Sequence, residues 1–116
     1  MGKPYINKTE QGAAAELQAI AWLQNKGLVL LQRNFRTPGR GGGEIDAIMR
    51  DSDGTLVFVE VRQRANRLHG GAAASISKAK QRRIVYAAQH YLRQYRHWPA
   101  SRFDVMVCDA GQWQWL

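Results

Sequence analysis

Gly43-Glu44-Ile45-Asp46 and Val57-Phe58-Val59-Glu60-Val61-Arg62, joined across Asp51-Ser52-Asp53-Gly54, decide how this chain folds. Side chains on a strand alternate faces, so Glu44 and Asp46 share one face, as do Glu60 and Arg62. The intervening residues form a turn signal, and a three-residue loop Ser52-Asp53-Gly54 with Gly54 left-handed sets Asp51 opposite Thr55. Counting back from that pair, Asp46 faces Glu60 and Glu44 faces Arg62. Two acids opposed on one sheet face repel unless a cation joins them.

The flanking sequence completes an α/β pattern. Thr9 caps a helix running to about Lys26, where Gly27 stops it, with Ala13, Leu17, Ile20 and Ala21 as the buried face and Glu16 at its margin. Leu28-Val29-Leu30-Leu31 opens a buried strand ending near Phe35, and Pro38 to Gly43 is a flexible loop. Strands follow over about Glu44–Arg50 and Thr55–Gln63. The second of these is apolar on both faces, as a strand covered on both sides must be. Arg64 to Ala74 reads as a loop around Gly70-Gly71. Ser75 or Ser77 caps a second helix reaching about Arg96, with Ile84, Ala88, Tyr91, Leu92 and Tyr95 along its apolar stripe and Pro99 ending it. Arg102–Cys108 forms a fourth strand and Trp113–Leu116 a short fifth. The order α-β-β-β-α-β-β predicts one domain over residues 1–116: a three-layer-type α/β sandwich around a mixed sheet of about five strands.

Charge narrows the function. The chain of 116 residues carries a formal net charge of +8. From Val61 to Phe103 there are ten Lys or Arg residues and no acid, the electrostatic pattern of a phosphate-backbone binder. No helix couples a broad apolar face to its basic residues, which argues against an anionic membrane as the partner. The single cysteine, Cys108, excludes an internal disulfide and fits a reducing cytoplasm, as does an N-terminus without a secretory apolar region. His69, His90 and His97 have no Cys or His at ligand spacing, which speaks against zinc. Cys108 and the tyrosines Tyr86, Tyr91 and Tyr95 read as core. Trp113 and Trp115 suit edge packing or a homodimer contact.

Together with Glu16, Arg33-Asn34-Phe35-Arg36, Lys80-Gln81 and Arg102-Phe103-Asp104-Val105, the opening segments resemble the restriction-endonuclease-like superfamily, whose signature is an Asp followed on the next strand by (Asp/Glu)-x-Lys. More closely, the chain resembles the YraN-like family of uncharacterised bacterial proteins and is similar in layout to archaeal Holliday-junction resolvases. The resemblance covers nearly the whole chain. It implies a Mg²⁺- or Mn²⁺-dependent, structure-selective DNA endonuclease acting on DNA that is branched or otherwise not plain duplex. In it Asp46 and Glu60 hold the metal, and Glu16 is the helix-borne acid. Arg62 stands where the signature has lysine. Arginine keeps the charge and binds phosphate, yet it does not act as a base in a protein. A second reading therefore stands beside catalysis: a nucleic-acid-binding module that retains the nuclease fold. Lys78 or Lys80 is an alternative ammonium. Arg36, Arg40, Arg64, Lys78, Lys80, Arg82 and Arg83 are the candidate nucleic-acid contacts. Asp46 and Glu60 can alternatively be structural ion-pair partners of Arg62 and nearby bases.

Overall fold

The computed structural model describes residues 8–39, 42–64 and 76–116. The elements are α1 (Lys8–Asn25), β1 (Val29–Arg36), β2 (Glu44–Arg50), β3 (Leu56–Arg64), α2 (Lys78–Leu92), β4 (Ser101–Asp109) and β5 (Gln112–Trp115). The five strands form one sheet in sequential order. β1, β2 and β3 pair antiparallel, β3 and β4 run parallel across the α2 crossover, and β5 returns antiparallel, so the sheet is mixed. Parallel neighbours need such a long connection, which is why a helix separates β3 from β4.

Side-chain alternation along β3 supplies both cores. Val57 and Val59 pack with Ala19, Ile20 and Leu23 of α1 on one face. Leu56 and Phe58 pack with Ile84, Ala87, Ala88, Tyr91 and Leu92 of α2 on the other. The result is a helix–sheet–helix sandwich, the architecture that the element order predicts.

The β2–β3 turn forms as its residues dictate. Gly54 has φ 89°, its N–H donates to Asp51 O at 2.9 Å, and Asp51 N donates to Thr55 O at 2.9 Å. The register runs Arg50↔Leu56 to Ala47↔Val59. Ser77 caps α2 through Oγ, which accepts from Lys80 N at 3.1 Å.

Several boundaries and faces differ from the sequence expectation. Ala13, Leu17 and Ala21 are exposed, and of the expected α1 face only Ile20 is buried. The helix is turned so that Ala15, Ala19, Ile20 and Leu23 meet the sheet, because Leu23 and the half-buried Trp22 offer more apolar surface there than Leu17 does. Thr9 lies inside α1 as described, not before it. Among the described residues β1 is an edge strand that pairs with β2 alone, and its Val29 is exposed. A four-residue apolar run does not distinguish an edge from a centre. α2 stops at Leu92, well short of Arg96, and continues as turns in which Gln94 N meets Tyr91 O and Tyr95 N meets Leu92 O. Tyr86 is exposed on the outer side of α2, and Cys108 is half-buried. Gly43 belongs to no flexible loop: a Cβ there would collide with the Arg83 carbonyl of α2, and Thr37 Oγ1 accepts its N–H at 2.6 Å. The expected loop with His69 and Gly70-Gly71, and Ser75, lie outside the described residues. No described helix is long and apolar enough to cross a membrane.

Candidate functional site

The β2–β3 ladder ends at Ala47↔Val59, and Asp46 and Glu60 are the next positions along the same register. There the Asp46 carboxylate substitutes for a main-chain acceptor, with Val61 N donating to Oδ2 at 2.8 Å. Asp46 and Glu60 are both buried. A third acid enters from α1. Glu16 lies one turn from Ala19 and Ile20 and two turns from Leu23, on the stripe that faces the sheet rather than at its margin.

Burial pushes the Glu16 carboxyl up to about 7, the neighbouring Asp46 charge adds to the rise, and Arg33 opposes it. Burial likewise pushes Glu60 up to about 7, again with Asp46 adding and with Lys80 and Arg62 opposing. One helix and two strands thus bring three carboxylates together around Asp46.

Three cations border them at long range. Arg33 Nη2 is 4.0 Å from Glu16 Oε2, Lys80 Nζ is 3.5 Å from Glu60 Oε1, and Arg62 Nε is 3.7 Å from the same oxygen. None of these is a close, well-aligned pair. Among the described residues Glu60 Oε2, Arg33 Nε and Arg62 Nε are buried without any hydrogen-bond partner. Buried polar atoms are nearly always satisfied, so three orphans in one place mark a site shaped for something other than its own protein groups.

Hard oxygen donors with one unsatisfied carboxylate oxygen fit Mg²⁺ or Mn²⁺, which take one or two carboxylates and complete their shell with water and phosphate oxygens. Among the described residues no group of three or more His, Cys, Asp or Glu side chains is arranged to hold a metal. The fit therefore rests on Asp46 and Glu60.

Other expected site residues fall elsewhere. Glu44 does not face Arg62. The β2–β3 ladder has already ended, and Glu44 instead pairs across β1 with Arg36, Oε1 to Nη2 at 3.5 Å. Lys78, Arg82 and Arg83 are exposed along α2, whereas Lys80 turns inward. Arg64 ends β3 opposite Asp109 and only its backbone is described; Arg40 lies outside the described residues.

Sequence reasoning gave Arg33 no role and left Lys80 level with Lys78. A signal existed for Lys80: it precedes Ile84 by one turn and Ala87 by two, on the buried stripe, while Lys78 does not. For Arg33 the signal is weaker. Asn34 takes φ 50°, an uncommon value for a residue with a side chain, and across it Arg33 reaches Glu16 of α1 while Phe35 packs with the α2 core; the register shift of β1 lies earlier, between Leu30 and Gln32.

The fold and site define an α/β protein with a three-carboxylate, cation-bordered notch where two central strands part. The model of the family described as "Uncharacterised protein family UPF0102" matches residues 15–108, and the chain belongs to that family. This is the YraN-like family that the sequence resembles, and the superfamily placement is consistent with it. A UPF0102 protein of Albidiferax ferrireducens is 65% identical over 115 residues, covering 98% of this chain and 90% of the relative. A UPF0102 protein of Paracidovorax citrulli is 61% identical over 105 residues, covering 90% and 78%. One of Cupriavidus metallidurans is 53% identical over 114 residues, covering 98% and 83%.

Proposed function

We propose that this protein is a divalent-metal-dependent nuclease that hydrolyses phosphodiester bonds in DNA, selective for branched or otherwise non-duplex structures, and that it works in the cytoplasm. The observation that carries the reading is the convergence of Glu16, Asp46 and Glu60 from three elements onto one notch, bordered by Arg33, Arg62 and Lys80.

Asp46 and Glu60 would hold the ion. When bound, a divalent cation there supplies the charge that polarises a phosphoryl oxygen and lowers the pKa of an attacking water. The Val61 N–H fixes the Asp46 carboxylate, so its donor atoms are oriented before any ligand arrives. Lys80 and Arg62 stand on the same oxygen of Glu60 and offer positive charge to a phosphate oxygen entering beside it. Arg62 contributes charge and hydrogen bonds only, since a guanidinium keeps its protons. Lys80 brings the ammonium that the strand position lacks. Glu16 reaches Asp46 from the opposite helix and can orient a water through a hydrogen bond.

A second reading, a nucleic-acid-binding module without turnover, is favoured by one observation: Lys80 and Arg62 both lie against Glu60, so protein groups alone partly neutralise it. One experiment separates the two. The protein is incubated with duplex, flap, bubble, four-way-junction and single-stranded DNA in Mg²⁺ or Mn²⁺, beside Asp46→Asn and the Arg62→Lys and Arg62→Ala variants. Cutting that Asp46→Asn abolishes, Arg62→Lys retains and Arg62→Ala loses supports the nuclease. Salt-sensitive binding with no cutting on any substrate supports the module.

A further inference from the structure

The carboxylate notch opens on two unlike sides. Toward α1 lies a polar recess lined by Gly12, Glu16, Asn34, Arg36 and Glu44. Toward α2 lies a mostly apolar groove of about 280 Å³ in which Glu60 is joined by Ile76, Gln81, Ile84, Val85 and Phe103. Phe103 is the groove's open shelf. Its ring lies on that of Phe58, centroids 5.4 Å apart and planes tilted by 32°, while 49% of its surface is exposed. Val85 is also 41% exposed. Gln81 donates through Nε2 to Ile76 O at 3.0 Å, which leaves its side-chain oxygen as an acceptor on the rim. Lys78 and Arg82, exposed on the same helix, line the adjoining recess that shares Gln81 and Val85 with the groove.

An apolar slot with an exposed aromatic face, a hydrogen-bond acceptor and, at its Glu60 end, the Lys80 ammonium and the Arg62 guanidinium suits a flat ring attached to a phosphate chain. We propose that this groove is a subsite for one unpaired nucleobase, held by stacking on Phe103 beside the phosphate that reaches Glu60. The proposal rests on the nucleic-acid reading above and deepens it: the substrate is nucleic acid with an unstacked nucleotide next to the notch. Single-strand binders combine cationic tracks and aromatic platforms in this way, and stacking there tolerates any base. A paired base is held in its duplex stack and would have to leave it to enter the slot, so single-stranded or branch-point nucleotides are favoured.

The test uses the full chain with Ca²⁺ in place of Mg²⁺ and an oligonucleotide carrying 2-aminopurine at an unpaired branch position. Stacking on Phe103 changes the probe's fluorescence on binding, and Phe103→Leu, which keeps apolar bulk without an aromatic face, removes most of that change. Replacing the probe nucleotide with an abasic site weakens wild-type binding roughly tenfold and leaves Phe103→Leu little affected. Because the abasic arm alters only the ligand, it stands even if a variant misfolds. Salt-sensitive binding with equal affinity for intact and abasic ligands overturns the subsite while leaving the nucleic-acid reading intact. No binding to any nucleic acid overturns both. Concentration-dependent self-association that Phe103→Leu abolishes, with no fluorescence change on DNA, gives the groove to a second copy of this chain and overturns the subsite too.

Discussion

The two ends of the β2–β3 hairpin use the same ingredients to opposite effect. At the turn end, Arg102 Nη2 meets Asp51 Oδ2 at 2.9 Å, and its Nε meets both oxygens of the buried Asp104 at 3.1 and 3.2 Å. Trp115 Nε1 closes the set on Asp104 Oδ2 at 2.8 Å. The Ser52 N–H, then Arg102, hold the Asp51 carboxyl below its ordinary value. At the open end the ion pairs span 3.5 to 4.0 Å, three polar atoms lack partners among the described residues, and two glutamates are pushed up. Short, complete hydrogen bonding makes acids and arginines a clamp. Long, incomplete pairing leaves them free to receive a ligand, which is how functional sites trade stability for readiness.

The strongest attempt to break this contrast neutralises one acid at the open end. Asp46→Asn or Glu60→Gln should lower any metal-dependent cutting on the order of a hundredfold or more. Neither should reduce thermal stability at pH 8, because each removes a repulsive charge. A variant that lost stability in step with activity would make the open end another clamp.

Arg102→Ala is the mirror experiment. It strips Asp104 of a charged partner in a buried position and should cost about 2 kcal/mol by denaturant unfolding, toward the lower range for charge-assisted bonds because Arg102 is itself part-exposed. Cutting rate per folded molecule should not change. A rate loss there would tie the two ends together.

pH sharpens the comparison further. Glu16 and Glu60 have folded values of about 7 against an ordinary 4.5, so the folded chain binds their protons more tightly than the unfolded chain does. Their contribution to stability is full below the unfolded value and is lost as pH rises through the folded one. Without divalent metal, stability should therefore fall between about pH 4.5 and 7, on the order of 1 kcal/mol, since the coupled carboxyls relax each other's shifts. Mn²⁺ should restore more at pH 8 than at pH 5, because it competes with protons for the same oxygens. Melting curves that rise with pH across this window would remove the charge repulsion.

The smallest effect per residue belongs to the outer surface of α2. Neutralising Lys78, Arg82 or Arg83 should each reduce the slope of log affinity against log salt by up to about 0.9 for duplex DNA. Lys80, held against Glu60, should instead affect catalysis more than the slope.

The hairpin was legible because a left-handed Gly54 and strict alternation leave only one register, which brings Asp46 next to Glu60 at its open end. Glu44 misled because the strand pattern says nothing about where a ladder stops, and pairing with Arg62 needed three further residues of it. Ala13, Leu17 and Ala21 misled for a related reason: several apolar stripes can be drawn on an alanine-rich helix, and only the surface of the sheet selects one.

The sequence by itself determined the element order, the turn, a serine cap on α2 and the segregation of charge, all set by local backbone preference or composition. Tertiary structure alone decided which helix face turns inward, and so whether Glu16 joins Asp46. It also drew Arg33 toward the acids and brought Lys80 Nζ to 3.5 Å from Glu60 Oε1. Those outcomes depend on packing between segments far apart in the chain, where burial and close approach of charges act together. No local pattern encodes the distance between them.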